Sequence, residues 1–229
     1  MTNPKTLART AGLLYLVVVV LGTWAELVVR AGVHVPGDPT TTAANIVNHE
    51  ALFRWSIAAD VLMAVAFVLL GLALHRLLHH VDEGAAMTLL VFVAVGAGSI
   101  LLNLALQAGA LRAATDPAQA DGLALLLLDL HGDGYTLGGV FFGLWLLPMG
   151  RLALRSGLFP KPLGVLLVVG GVAWIADPVI AFALPEAPEF VRAVVSAPTS
   201  LGEFGLMIYL LVQGVRTSAR PVVPAQPSR

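Results

Sequence analysis

Six stretches of this chain are long and apolar enough to dissolve in a lipid bilayer: residues 7–29, 52–74, 84–111, 122–149, 163–184 and 198–215. A bilayer core about 30 Å thick takes roughly 20 apolar residues in helical form. Backbone groups at that depth have no water to bond, so only helices or a closed barrel can cross. The runs are continuous rather than alternating, which selects helices. The expected fold is all-α, a polytopic membrane bundle of six transmembrane helices. Residues 1–216 read as its single domain, and residues 217–229, with three prolines, as a disordered cytoplasmic tail. Composition agrees. The chain is 58% hydrophobic and 12% charged, with mean hydropathy +0.86, where a soluble domain carries about 25% charged residues.

An even number of crossings puts both termini on one side. Lys5, Arg9, Arg76, Arg151, Arg155, Lys161, Arg216, Arg220 and Arg229 then share it, leaving Arg30, Arg54, Arg112 and Arg192 on or near the other. Nine against four places both termini in the cytoplasm of a multi-pass plasma-membrane protein. Between the first two runs, Pro36-Gly37-Asp38-Pro39 forms a turn, and residues 40–50 read as a short amphipathic helix capped by a threonine. Residues 185–197 read as a polar surface segment. There is no cysteine, so disulfides, thiolate metal sites and cysteine nucleophiles are excluded. A net charge of -1 argues against nucleic acid as a partner. The expected partners are membrane lipids and, for transport, a second copy of the chain.

Orientation converts the polar residues inside the runs into a map of depth, since a helix rises about 1.5 Å per residue. Measured from the outer ends, Glu26 lies roughly 5 Å down, Asp60 and Asn103 about 12 Å, Gln107 about 6 Å, Asp177 about 10 Å and Glu203 about 8 Å. Asp129 and His131 lie roughly 10–14 Å into the fourth run. Asn103 and Gln107 are four apart and share a face. Polar groups thus crowd the outer half, and the inner half is nearly pure hydrocarbon. One site is expected there, built from Glu26, Arg54, Asp60, Asn103, Gln107, Asp129, His131, Tyr135, Asp177 and Glu203.

Acids outnumber bases at that site. Glu26 and Arg30 are spaced for an i,i+4 pair, and Arg54 lies near enough in depth to reach Asp60 or another acid. The remaining carboxylates have no base, and a bare buried carboxylate takes up a proton or binds a cation. The sequence therefore points to a site that binds a cation or exchanges protons together with a small or lipid-like ligand. Asp60, His131, Asp177 and Glu203 are the candidates to hold a divalent cation. Two alternatives stay open. One is a membrane-embedded metal-dependent or acid–base enzyme acting on a lipid, with His131 as base and Asp129 orienting it. The other is a structural or regulatory subunit whose acids are all paired.

Two places break the helical pattern. In LLLLDLHGDGYTLGGVFFG, residues 125–143, the glycines weaken the helix, each by about 1 kcal/mol against alanine. In a straight helix Asp129 and Asp133 share one face while His131 and Tyr135 share nearly the opposite one. A bend in this fourth helix would bring both pairs to one site; the other reading is that the glycines let helices pack closely. At Asp177-Pro178, proline removes a hydrogen bond one turn back, near Trp174.

Several short motifs carry a family resemblance. They are Ala11-Gly12-Leu13-Leu14-Tyr15, Ala25-Glu26, Ala58-Ala59-Asp60, Asp129-Leu130-His131, Gly134-Tyr135, Phe142-Gly143, Arg155-Ser156-Gly157, Leu163-Gly164-Val165-Leu166 and Gly202-Glu203. In order and spacing, over residues 7–215, they resemble a bacterial integral membrane family catalogued as domain of unknown function 4386. The resemblance implies a six-helix protein of the bacterial inner membrane and no particular reaction. No Gly-x-Ser-x-Gly, His-Glu-x-x-His or P-loop occurs.

Overall fold

A computed structural model describes residues 3–116, 118–119 and 121–216, so the tail expected at 217–229 lies outside the described residues. Among the described residues all regular structure is helical. Seven helices follow in order: α1 Pro4–Val33, α2 Pro39–Asn48, α3 Glu50–Leu78, α4 Glu83–Thr115, α5 Asp121–Ser156, α6 Lys161–Ala183 and α7 Glu189–Val212. Five of them, α1, α3, α4, α5 and α6, are long and apolar enough to cross a membrane. In α7 the apolar part, Ala197–Val212, is shorter.

The helices outrun the apolar runs because polar residues at their ends satisfy the free backbone N–H groups. Asp82 caps α4, its carboxylate accepting from the Ala85 N–H at 3.1 Å. Asp38, not a threonine, caps α2 by accepting from the Thr41 N–H at 3.0 Å, with Pro39 in the first turn. The larger departure is α7. It begins at Glu189 and runs through Pro198, so the segment expected to lie on the surface is the first part of a helix.

Helix α2 packs at one end of the bundle, against α5 and α4. The other six close a ring. Helix α1 sits between α3 and α7, and contacts continue from α3 to α4, α4 to α5, α5 to α6 and α6 to α7. Leu13, Val20, Leu62, Leu102, Val172 and Ile208 point outward and are exposed, an apolar girdle of the kind lipid covers. Toward one end the ring is filled solid by buried Leu70, Leu74, Leu78, Leu89, Met149 and Leu152. Both ends of the described chain meet there. Gly214 packs on the Lys5 backbone, and the Arg216 N–H donates to the Leu158 carbonyl at 3.0 Å. At the same end Asp82 takes hydrogen bonds from Arg151 at 2.9 Å and Arg155 at 2.8 Å. The Ala85 N–H and these two guanidinium groups hold the Asp82 carboxyl below its ordinary value.

The glycine-rich stretch is not an interruption. Helical hydrogen bonding runs through it from Asp121 to Ser156. Its glycines instead admit neighbours. The Asn103 side chain fills the space beside Gly134, and the Trp174 ring lies against Gly139. Gly143 meets the Gly171 carbonyl of α6, and one turn pair further on a Cβ at Gly150 would come within 2.8 Å of the Gly164 carbonyl oxygen. Helices α5 and α6 thus touch backbone to backbone, as small residues permit in membranes. Gly143→Ala is expected to destabilise the protein by about 1–3 kcal/mol through overpacking. Gly132→Ala, where nothing lies within 4 Å, is expected to be neutral or stabilising by up to about 1 kcal/mol through helix propensity. Thermal unfolding of both variants in one detergent checks the contrast.

Candidate functional site

A buried cation organises the end of the ring opposite the chain termini. Arg30 is 4% exposed and Asp60 fully buried, and the two are directly paired. Arg30 Nε also donates to Glu26 at 2.7 Å, and its Nη1 to the Gln107 carbonyl oxygen at 3.3 Å. Gln107 passes the chain on, donating to Ser56 Oγ at 2.8 Å, which donates to the Phe53 carbonyl at 2.8 Å. The guanidinium lies 5.6 Å from the centre of the Tyr135 ring, within cation–π range. One side chain of α1 therefore ties α3, α4 and α5 together.

Local winding puts Arg30 there. Residues Trp24–Arg30 form a π-helix. In an α-helix Arg30 would stand about 140° around the axis from Ala25, five residues on. Hydrogen bonds from i to i+5 bring residues five apart nearly into line, and Ala25, Val29 and Arg30 are all buried. Arg30 lies just beyond the first apolar run, yet it, rather than Arg54, is the base at Asp60. Of the acids within reach of Arg54, the partner is Glu50, at 2.6 Å, and Arg54 is 59% exposed.

The other expected residues divide. His131 and Asn103 lock α5 to α4, Asn103 Nδ2 donating to the His131 carbonyl at 2.8 Å. His131 Nδ1 lies 3.1 Å from the Asn103 carbonyl, so that nitrogen carries the hydrogen. Asp129 does not orient His131. It contacts His34 at 2.6 Å, beside a pocket that also includes Glu26, Arg30, His131 and Asp133. Asp177 lines neither that pocket nor the cavity described next. The one expected site is therefore at least two places.

All six ring helices wall the second, a cavity of about 220 Å³, through Tyr15, Phe67, Ile100, Trp145, Trp174 and Glu203 among others. Glu203 lies fourteen residues into α7, about 21 Å along the axis, and six residues into its apolar part, Ala197–Val212. It stands level with Tyr15, which is fifteen residues before Arg30 on α1, roughly 20 Å away. The Trp174 indole N–H donates to Glu203 Oε1 at 2.8 Å. The buried Tyr15 hydroxyl has no partner within strict hydrogen-bond distance but is near enough to interact with the Glu203 carboxyl. Among the described residues no cation pairs with Glu203. Trp174 and Tyr15 are not among the site residues that the sequence suggests, because aromatic residues inside apolar runs carry no signal of a polar role.

Helices α1 and α7 touch at one level and part at another. A Cβ on Gly12 would lie 2.8 Å from the Leu211 nitrogen. Further along, the cavity separates them, and its lining residues Thr23, Ser200 and Phe204 are exposed. The cavity opens sideways at this seam.

The four candidates for a divalent cation do not converge. Asp60 belongs to Arg30, His131 to Asn103 and Glu203 to Trp174. Among the described residues no group of three or more His, Asp or Glu side chains is placed to hold a metal ion.

The chain belongs to the family described as domain of unknown function DUF4386, whose sequence profile matches residues 10–214. An uncharacterized protein of Archaeoglobus fulgidus is 30% identical over 82 residues, 36% of this chain and 47% of that protein. The match spans about half of that relative's length. No solved structure matches the chain.

Removing one partner of a buried ion pair strands the other charge. Asp60→Leu and Arg30→Met are each expected to lower stability by about 3–5 kcal/mol, and the double variant by clearly less than the sum. Unfolding of the four proteins in one detergent gives the cycle. Additive losses would show that the two side chains act independently.

Proposed function

We propose that this DUF4386 protein is a six-span membrane protein, termini in the cytoplasm, that takes a small, largely apolar ligand into its central cavity from the bilayer. The cavity carries the reading. It is walled by every helix of the ring, lined mainly by apolar and aromatic side chains, and has one carboxylate, Glu203, without a basic partner among the described residues. That combination, an apolar pocket with a few placed polar groups, is what ligand sites have in common. The seam between α1 and α7 supplies the route. The acid supplies the chemistry, because its charge has to be answered by a proton or by a cation that arrives with the ligand. The Arg30 cluster holds the outer end of α1, α3 and α4 in register around the cavity, its guanidinium shared between buried Asp60 and half-exposed Glu26.

Three observations support six crossings. Helix α7 closes the ring between α6 and α1. Its 24 residues reach about 36 Å, enough for a bilayer core. The two ends of the described chain meet at one end of the bundle, where Lys5, Arg9, Arg151 and Arg155 gather, and the positive-inside rule assigns that end to the cytoplasm.

Because the chain has no cysteine, single cysteines report topology directly. Asn48→Cys in α2 is expected to react with a membrane-impermeant maleimide from outside intact cells, and His80→Cys only after lysis. The reverse result overturns the orientation, and labelling of both from one side overturns the span count.

Ligand uptake is read from the emission of Trp145 and Trp174, which line the cavity. Titration of the purified protein with toluene is expected to give a saturable, one-to-one change. Ser200→Phe, which narrows the seam, is expected to slow it at least tenfold, whereas Leu102→Phe on the outer girdle leaves it unchanged. A linear, unsaturable response in the parent protein would sink the reading.

A further inference from the structure

The charge and size of the ligand follow from the cavity walls, granted the reading that the cavity is a ligand site. Tyr15, Phe67, Tyr135, Phe142, Trp145 and Trp174 give it aromatic sides. These rings brace one another. Tyr15 meets Trp145 with centroids 5.9 Å apart, Phe67 meets Trp145 at 5.8 Å, and Phe142 meets Trp174 at 5.6 Å, all edge to face. Edge-to-face packing is favourable and directional, so the cage keeps its shape without an occupant.

The polar side of the cage is asymmetric. Among the described residues Glu203 is the single carboxylate in the lining, and no lysine, arginine or histidine lines it. Arg30 lies 5.6 Å from the centre of the Tyr135 ring, but Glu26 and Asp60 already hold it. Beside Glu203 stand the Trp174 N–H, which donates to it, and the Tyr15 hydroxyl, both neutral. An anion placed here would meet a like charge with no base to offset it. A cation would meet both an opposite charge in a medium of low permittivity, where Coulomb attraction is many times stronger than in water, and the electron-rich faces of tyrosine and tryptophan rings. Volume narrows the choice further. About 220 Å³ falls below the roughly 300–1,000 Å³ of drug-sized sites, too small for a phospholipid and fit for one ring bearing a compact ammonium head.

We infer that the cavity binds a small hydrophobic organic cation, an ammonium group carried on an apolar body, with Glu203 as its counter-ion and the aromatic cage around it. Trp174 orients the carboxylate, and the seam between α1 and α7 lets an amphipathic amine pass from the bilayer without crossing the packed end of the ring.

The test compares molecules of one shape and different charge on the full-length protein in detergent, by calorimetry and by the emission of Trp145 and Trp174. Benzyltrimethylammonium is the cation, neopentylbenzene its uncharged carbon isostere, and benzenesulfonate the anion. The ammonium is expected to bind one-to-one and at least tenfold tighter than the isostere, with the sulfonate not binding. Glu203→Gln is expected to weaken the ammonium at least tenfold and leave the isostere unchanged, which also shows that the variant keeps its cavity. Should Glu203→Gln not fold, Glu203→Asp, which keeps the charge but draws it back, is expected to weaken the ammonium alone. Equal binding of ammonium and isostere, unmoved by either variant, overturns the cation assignment and leaves the cavity a neutral-ligand site. Absence of saturable binding by all three overturns the ligand reading as well.

Discussion

A guanidinium buried among hydrophobic helices is stable only if its charge is answered within reach, and Arg30 imposes that condition on the end of this bundle opposite the chain termini. Asp60 and Glu26 answer the charge, Nη1 also reaches Gln107, the Tyr135 ring lies within cation–π range, and Nη2 is buried without a hydrogen-bond partner among the described residues. These residues belong to α1, α3, α4 and α5, so one side chain sets the rotation of four helices. Desolvation makes the arrangement demanding rather than strongly stabilising, since burying the ions costs much of what their attraction returns. Its effect is specificity of packing: any slip of α3 against α1 would part Asp60 from Arg30.

The two ends of the ring are built on different principles. At the end where the chain termini meet, leucines and methionine interdigitate and glycine pairs draw α5 onto α6 until backbones touch. Nothing polar interrupts that packing except at its rim, where Asp82 bridges Arg151 and Arg155. Toward the middle, large aromatic rings replace the leucines. There a cavity of about 220 Å³ remains between the rings. Glu203 projects into it from a helix that contacts α1 closely only at Gly12 and beyond. The bundle thus has a solid end, a hollow middle and, at the end opposite the chain termini, a charged latch.

Much of this was legible in order along the chain and little of it around the helix axes. The i,i+4 spacing of Glu26 and Arg30 announced their pair, and the shared face of Asn103 and Gln107 agrees with both reaching partners on other helices. Depth alone cannot say which way a side chain points, so it left the partner of Arg54 open; that partner is Glu50, one turn away. Hydropathy marks only the apolar part of the last helix, whereas α7 runs through Pro198 from Glu189. Trp174 and Tyr15 were invisible as polar partners because their apolar bodies suit any lipid-facing run.

The amino-acid sequence by itself determined the class: continuous apolar runs without water leave the backbone no choice but to bond within helices, and the placing of lysine and arginine biases which end faces which side. Tertiary structure alone decided which acid has a base. A π-turn swung Arg30 inward to Asp60, and ring closure brought α7 beside α1 and α6, leaving Glu203 with an indole and a phenol. The reason is geometric. Spacing along a helix fixes height and periodic facing, but the partner across a contact comes from a helix many residues away, chosen by how all six surfaces fit at once.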